Sequence, residues 1–461
     1  MQDVFHKLMP VLPEIIMLIM TVASLMVAIY APPSKAKARA DKCVYSGLLG
    51  AFISLCLINV PEQGLFIENP SFVLDESAVF FKMLVLPGAF ICMVFATEWL
   101  KYKKYSRFEF ASLLGFSVTG MMLTVSGRTF LMQFLGLEMM HFPLLFLAAY
   151  KRSGDRSTEA GTKYAVMFFL SSGLYLFGVS VIYACLGTMD FFKIMAADKT
   201  EIMPALLWGL SFITAGLLLK IGASPFHFWT ADVYECAPSP VTAILATIVR
   251  LSVIGAFSRI VLEPFCEQMF YWRPVLMVIC VLSVITGGFG AIIQTNIKRL
   301  AAYTAIVLNG FALAALVVED ASLLLKSVTV DLVLMFGFVA VFMSLRVGDE
   351  LIEQIKVLSG QGLVKPVRGG LFSLIFLGLS GAPPFAGFWS RILLFQNVIR
   401  FGMPLFAFLM MAGGLLIMYV YLRLIRQMYG MAAKEELSLA PVPMKTVIVS
   451  SAIFSTGGTG S

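Results

Sequence analysis

Long apolar runs separated by short polar loops dominate the chain from about residue 11 to residue 456. A helix needs about 20 apolar residues to cross the hydrocarbon core of a bilayer. By that measure the pattern predicts fourteen spans, at 11–30, 44–60, 79–97, 108–125, 129–149, 163–187, 203–221, 240–258, 274–293, 300–318, 325–345, 370–391, 402–422 and 442–456. The last is short and runs into a Gly/Ser/Thr tail at 455–461. The first run, 11–31, is long for the core of a signal peptide and more spans follow it, so it reads as a mature helix. The expected class is all-α, a polytopic membrane protein.

Two of these runs contain helix breakers. Ile221-Gly-Ala-Ser-Pro225 interrupts the seventh span and Ser380-Gly-Ala-Pro-Pro-Phe-Ala-Gly387 the twelfth. Proline removes a backbone donor and clashes with the preceding turn. In hydrocarbon the freed groups must be buried in protein or face a wet cavity. Two such breaks, about 160 residues apart, suggest equivalent positions in two structural repeats, as expected of an ion-translocating transporter.

Composition agrees with the pattern. The chain of 461 residues is 59% hydrophobic and 13% charged, where a soluble domain carries about 25% charged residues. The seven cysteines are scattered with no CxxC pair, which predicts neither a metal site nor an iron–sulfur cluster. There is no dinucleotide fingerprint, phosphate loop or pair of haem-suited histidines, so no cofactor is expected and any electron chemistry belongs elsewhere.

Basic residues alternate in density from loop to loop. One set of loops holds Lys35, Lys37, Arg39 and Lys42, then Lys101, Lys103, Lys104 and Arg107, then Lys151, Arg152 and Arg156. It continues with Lys298 and Arg299, then Arg346, Lys356, Lys365 and Arg368, then Arg423, Arg426, Lys434 and Lys445. The opposite set has Lys7, Arg128, Lys193, Lys199, Arg259, Arg273, Lys326 and Arg400, with Glu62, Glu68, Asp75 and Glu76 among them. The tally of 21 basic residues against 8 puts the first set in the cytoplasm and both termini on the periplasmic side. The net charge of +7 thus faces anionic lipid headgroups, and no nucleic-acid partner is expected.

Five ionisable residues fall inside spans or at their edges: Lys82, Glu138, Lys220, Arg250 and Arg391. A charge at mid-bilayer costs at least about 2.5 kcal/mol, so such residues usually face the protein interior and act there. Lys82 and Arg391 lie near enough to span ends to snorkel. A buried carboxylate beside a buried amine is a bistable unit, charged when paired and able to exchange a proton when separated, which makes Glu138 and Lys220 a candidate proton switch. Arginine stays protonated, so Arg250 and Arg391 read as fixed charges that tune neighbours, hold a carboxylate or block cation leakage. His141, three residues past Glu138 on the same helical face, could relay protons or be a helix-end histidine bonded to a loop carbonyl. His227, in Pro225-Phe-His-Phe-Trp229, sits in the broken region and is the stronger relay candidate.

At Leu217-Leu-Leu-Lys-Ile-Gly-Ala-Ser-Pro-Phe-His-Phe-Trp229 and Asp232-Val-Tyr-Glu-Cys-Ala-Pro-Ser-Pro-Val-Thr-Ala243 the chain resembles the antiporter-like subunits of respiratory complex I. Among these it is most similar to the subunit N family of bacterial NADH–quinone oxidoreductase, counterparts of mitochondrial subunit 2. Gln294-Thr-Asn-Ile-Lys-Arg-Leu-Ala-Ala-Tyr303, Leu379-Ser-Gly-Ala-Pro-Pro-Phe-Ala-Gly-Phe388 and Glu159-Ala-Gly-Thr-Lys-Tyr164 support the resemblance, which runs from about residue 10 to 430. It implies helices 1–3 over 1–107, two inverted five-helix repeats over 108–262 and 270–430, and a last helix and tail over 431–461. It further implies proton translocation, driven by quinone reduction in neighbouring subunits, through buried charges. Glu138 matches the family's fifth-helix glutamate and Lys220 its seventh-helix lysine. The chain departs from the family at Arg250 and Arg391, where lysine is usual, and at Leu308, where histidine is common.

The partners so implied are the other membrane-arm subunits, above all neighbouring antiporter-like ones, and the bilayer of the cell inner membrane. Quinone is met only through neighbours. Two rival readings remain at this level: a subunit of a multisubunit cation/proton antiporter, and a non-conducting structural subunit of the membrane arm.

Overall fold

A computed structural model describes residues 8–58, 60, 65–66, 71–103, 108–151, 154–197, 199, 202–347, 350–430 and 442–457. Of the loop charges above, Lys7, Glu62, Glu68, Lys104, Arg107, Arg152 and Lys434 lie outside the described residues. Among the described residues, twelve helices are long and apolar enough to cross a membrane, and they coincide with the first eleven expected spans and the thirteenth. The twelfth expected span is two shorter helices, Pro366–Ser380 and Ala386–Arg400, and the fourteenth is Val442–Gly457, of 16 residues. The only strands among the described residues are two ribbons of two-residue strands, β1–β2 (Leu65–Phe66, Val73–Leu74) and β3–β4 (Arg346–Val347, Glu350–Leu351).

The chain folds as two compact units. The first comprises Met1–Ile221 and Cys236–Tyr271. It holds α1 (Leu12–Tyr30), α2 (Pro33–Leu57), α3 (Glu76–Tyr102), α4 (Glu109–Ser126), α5 (Phe130–Ala148), α6 (Asp155–Leu186), α7 (Met203–Ile221) and α8 (Ser239–Leu262). Consecutive helices pack in pairs, while α8 packs against α3, α4 and α7 and buries its whole apolar window. A helix apolar all round and buried all round has no amphipathic stripe to read. Within α8, Leu245–Val249 forms one π-helical turn, directly before Arg250.

Between membrane helices, close packing replaces the hydrophobic drive, and small residues let backbones approach. A Cβ on Gly120 of α4 would lie 2.3 Å from the Met140 amide nitrogen of α5, and one on Gly136 of α5 would lie 2.5 Å from the Thr124 nitrogen of α4. On α6 and α7, a Cβ on Gly178 would lie 2.4 Å from the Gly209 carbonyl oxygen, and one on Gly216 would lie 2.8 Å from that of Ser171.

Charge closes one end of this unit. Asp75 caps α3, accepting from the Ala78 amide, and takes a 2.7 Å ion pair from Arg259 of α8. Arg259 also pairs with Glu263 at 2.7 Å, and Glu263 holds Arg128, from the α4–α5 connection, at 3.0 Å. Arg259 is therefore buried in a four-residue chain of alternating sign rather than a solvated loop cation. Burial alone would push the Asp75 carboxyl up, but the Arg259 guanidinium, the Ala78 amide and the Ser77 hydroxyl outweigh it and hold the group below the usual carboxylate range.

The second unit comprises Gly222–Glu235 and Trp272–Ser461. It holds most of α9 (Met269–Ile292), then α10 (Ile297–Val317), α11 (Ala321–Met343), α12 (Pro366–Ser380), α13 (Ala386–Arg400), α14 (Pro404–Gly430) and α15 (Val442–Gly457). Val275, Val278, Leu282 and Phe289 recur every three, four or seven residues and form an exposed apolar stripe on α9, the face a membrane helix turns to lipid. α10 is buried almost throughout its length.

Gly120→Val would force α4 and α5 apart, at a cost of about 1–3 kcal/mol. The expected outcome is a lower melting temperature and less assembled protein on native gels, with Gly173→Val, where a Cβ meets nothing within 4 Å, as the unaffected control. Asp75→Asn tests the charged end. A carboxyl held low in the folded state contributes stability above its unfolded pKa of about 3.9, and that contribution fades as pH falls through the folded value. Thermal melts should show a deficit of about 1–3 kcal/mol near neutrality that shrinks on acidification below about pH 4; a deficit that stays constant with pH would assign the role to the cap geometry instead.

Candidate proton-handling site

The site of the first unit is built where α5, α6 and α7 meet. Gly216 lets α7 lie against the Ser171 and Tyr175 backbone of α6, which brings Lys220, in the last turn of α7, alongside Ser172. Lys220 Nζ donates to Ser172 Oγ at 3.3 Å, and the Ser172 hydroxyl donates to Glu138 Oε1 at 2.5 Å. Nζ and Oε1 are 3.5 Å apart. The Lys220 side chain is 1% exposed and that of Glu138 27%. The Phe168 ring lies 4.8 Å from Nζ and supplies a polarisable face to the ammonium. The structure thus brings together the two residues singled out in sequence and adds a third. Ser172 carries no charge and sits in an apolar run, so only its place between the other two reveals it.

His141 is buried one turn beyond Glu138, and its Nδ1 lies 2.6 Å from the Tyr164 hydroxyl of α6. Among the described residues it meets no loop carbonyl. His227 lies in the second unit, half-buried in the turn after the first break. Arg250 is buried on α8 directly after the π turn. A π turn commonly marks a functional position, and no residue type in Leu245–Val249 foretells it.

Lys82 does not snorkel. Its side chain is fully buried and pairs with Glu14 of α1 at 2.5 Å, with the Phe72 ring 5.0 Å from the ammonium. Glu14 escapes a sequence reading because it stands in the first turn of an apolar run, where an acid looks like a helix-start residue.

Arg391 does not snorkel either. In the second unit α12 ends at Gly381, which has φ +70, and α13 begins at Ala386. Arg391 reaches back across the break and donates to the carbonyls of Ser380 and Leu379, both at 2.6 Å. These are the carbonyls a helix end leaves without intrahelical partners, and a cation there also meets the negative end of the helix dipole. A Cβ on residue 381 would lie 2.3 Å from Arg391 Nη1, so glycine is required by the backbone and by the guanidinium alike. The first break repeats the plan, with Gly222 at φ +68 three residues before Pro225, as Gly381 stands three before Pro384. Asp331, buried on α11, is a further intramembrane carboxylate in this unit. A lone acid within an apolar run is the signal that marks it, as it marks Glu138.

The short helix Thr230–Cys236 that follows the first break is anchored by charge within the second unit. Arg299 pairs with Glu235 at 2.7 Å and Asp232 at 3.2 Å, and Lys298 pairs with Glu353 at 2.7 Å while donating to the Glu235 carbonyl at 3.2 Å. The stretches beginning at Asp232 and Gln294, which carried the resemblance in sequence, therefore meet in space.

Comparison with known proteins agrees with this arrangement. The family described as NADH:quinone oxidoreductase/Mrp antiporter, TM matches residues 128–416. A protein named NADH-quinone oxidoreductase subunit N, from Rhodospirillum rubrum, is 35% identical over 96% of this chain and 92% of its own. Among solved structures, a chain of respiratory complex I from Thermus thermophilus superposes with a TM-score of 0.82 at 26% identity, over 96% of both chains. A chain of the Mrp complex from Dietzia sp. shares the fold at a TM-score of 0.77 and 19% identity, over 95% of this chain and 82% of that one. The chain belongs to the NADH:quinone oxidoreductase/Mrp antiporter transmembrane family, and within it to the subunit N proteins of NADH-quinone oxidoreductase.

Proposed function

We propose that this multi-pass membrane protein is a membrane-arm subunit of NADH–quinone oxidoreductase that takes part in proton translocation coupled to quinone reduction in neighbouring subunits. The enzyme is the assembled translocase, and this chain's share is to handle protons, with the other membrane-arm subunits as its partners. The observation that carries the reading is the Lys220–Ser172–Glu138 chain, buried in apolar helices and ending one residue before a helix break.

In the paired state Lys220 is an ammonium and Glu138 a carboxylate. A proton passes from Nζ to Ser172 Oγ as the Ser172 proton passes to Glu138 Oε1, leaving a neutral amine and a carboxylic acid. The serine keeps one proton throughout. Glu138 then hands its proton on, His141 being the next titratable group on its helical face, and Lys220 is recharged from the opposite side. Displacement of the last turn of α7, beside the break, would separate the pair and drive the cycle. In the second unit the cation beside the break, in the place Lys220 takes in the first, is Arg391, whose charge is fixed, and Arg250 is a fixed charge within the first unit. His227, in the turn of the first break, is a relay in the same scheme.

The repeats over 108–262 and 270–430, each with one broken helix, belong to this reading, supported by the shared Gly-x-x-Pro plan at the two breaks. So does placement in the cell inner membrane with both termini periplasmic, supported by the loop charges. The rival cation/proton antiporter reading has the shared fold and the joint family description behind it, while the relatives reported above carry the subunit N name. A scaffold reading has one specific observation in its favour, that Arg391 spends two of its donors on backbone carbonyls.

Inverted vesicles energised with NADH separate these. Lys220→Ala in the assembled complex should cut coupled turnover or pumping by about tenfold or more, and Ser172→Ala should shift it in the same direction. Unchanged pumping per electron in Lys220→Ala, with the complex intact, would remove the pair as a required element and leave the scaffold reading.

A further inference from the structure

Away from these charges, α12 and α15 pack on each other and enclose a groove of about 430 Å3 within the second unit. Its walls are Leu371, Phe372, Ile448 and Val449. Lys365, Arg368 and Lys445 line it as well, and all three stand at or near the N-terminal ends of the two helices. Among the described residues that line the groove, none is acidic. Val367, at the rim, is 78% exposed.

The order along each helix is the same: cation first, apolar wall one turn or more further in. Lys365 and Arg368 precede Leu371 and Phe372 on α12, and Lys445 precedes Ile448 and Val449 on α15. Arg368 is held in place, donating to the Ser344 carbonyl at 2.8 Å with its guanidinium 5.3 Å from the Phe372 ring centroid. Two helix N-termini add positive potential to the same mouth. A cavity that is cationic at its mouth and apolar within has the profile of an amphiphile with an anionic head.

We propose that this groove is a binding site for an anionic phospholipid, its phosphate held by Lys365, Arg368 and Lys445 and one acyl chain lying along Phe372 and Ile448. Charge complementarity selects this occupant. A guanidinium and two ammonium groups match a phosphodiester, while a zwitterionic lipid would bring its own cation to the same mouth. The loop-charge asymmetry assigns this end of α12 and α15 to the cytoplasmic leaflet, where a juxtamembrane Lys or Arg contributes about 1 kcal/mol to anionic lipid binding.

The test is lipid retention by the whole complex, measured by native mass spectrometry after detergent washing and re-addition of phosphatidylglycerol or phosphatidylcholine. Lys365→Gln with Lys445→Gln removes two cations and should weaken phosphatidylglycerol retention about 30-fold. Val449→Trp, which fills the groove and leaves the cations, should lose the same lipid. Lys193→Gln, an exposed cation outside the groove, should change nothing. Phosphatidylcholine should not substitute. Retention unchanged in the double variant, retention unchanged in Val449→Trp, or loss of a neighbouring subunit in place of lipid would each overturn the proposal, the last by making the groove a protein interface. Should the variants fail to assemble, photoactivatable phosphatidylglycerol on the unmodified complex gives an independent reading. Label is expected on the segments 365–372 and 445–449, and its absence there overturns the site. None of these readouts depends on pumping, so they stand apart from the test of Lys220.

Discussion

A polar backbone group or a charge inside a bilayer must find its partner within the protein, and most of what is distinctive in this chain follows from that constraint. A helix that stops in mid-span exposes carbonyls with no water to bond. At the second break the solution is Arg391, folded back onto the Leu379 and Ser380 carbonyls. At the first, the helix stops one residue after Lys220, whose ammonium turns instead to the Ser172 hydroxyl and the Glu138 carboxylate. The breaks share a glycine in the left-handed region and a proline three residues later, yet the cations beside them are used in opposite ways.

That difference is chemical before it is positional. A guanidinium bonded to two carbonyls at 2.6 Å is fixed in place and in charge. An ammonium that reaches its carboxylate through a hydroxyl is held by one long and one short hydrogen bond, both donated toward the carboxylate. The serine matters because it both accepts and donates. Nζ and Oε1 also lie 3.5 Å apart as an ion pair, and under the proposed function the hydroxyl beside them is the proton's path.

The long spans were legible because lipid imposes a simple rule on composition, and the two breaks because proline and glycine are poor helix residues wherever they fall. Glu138 and Lys220 stood out for the same reason, as charges where the rule forbids them. What stayed hidden depends on relations between distant positions. Ser172 is one of many serines until its two neighbours flank it. Glu14 becomes visible only with Lys82 against it, and Arg259, counted as a loop cation, is buried with Asp75 arriving from another helix and Glu263 from the end of its own. The ends of the twelfth and fourteenth expected spans were blurred because a broken helix and a 16-residue helix both fall below the length on which the composition rule acts.

The departures at Arg250, Arg391 and Leu308 bear on how proton handling is divided under the proposed function. Replacing a lysine by arginine keeps the positive potential and removes the exchangeable proton. A second unit with Arg391 committed to its helix break can therefore hold or repel charge in its surroundings but cannot store a proton at that position. The second unit keeps a buried acid, Asp331 on α11, while α5, α6 and α7 hold Glu138, His141 and Lys220, where a hydroxyl already bridges amine and carboxylate. Under the proposed function the two broken helices are then unequal: the first would carry the exchange, and the second would supply a fixed charge and a rigid frame for its own unit.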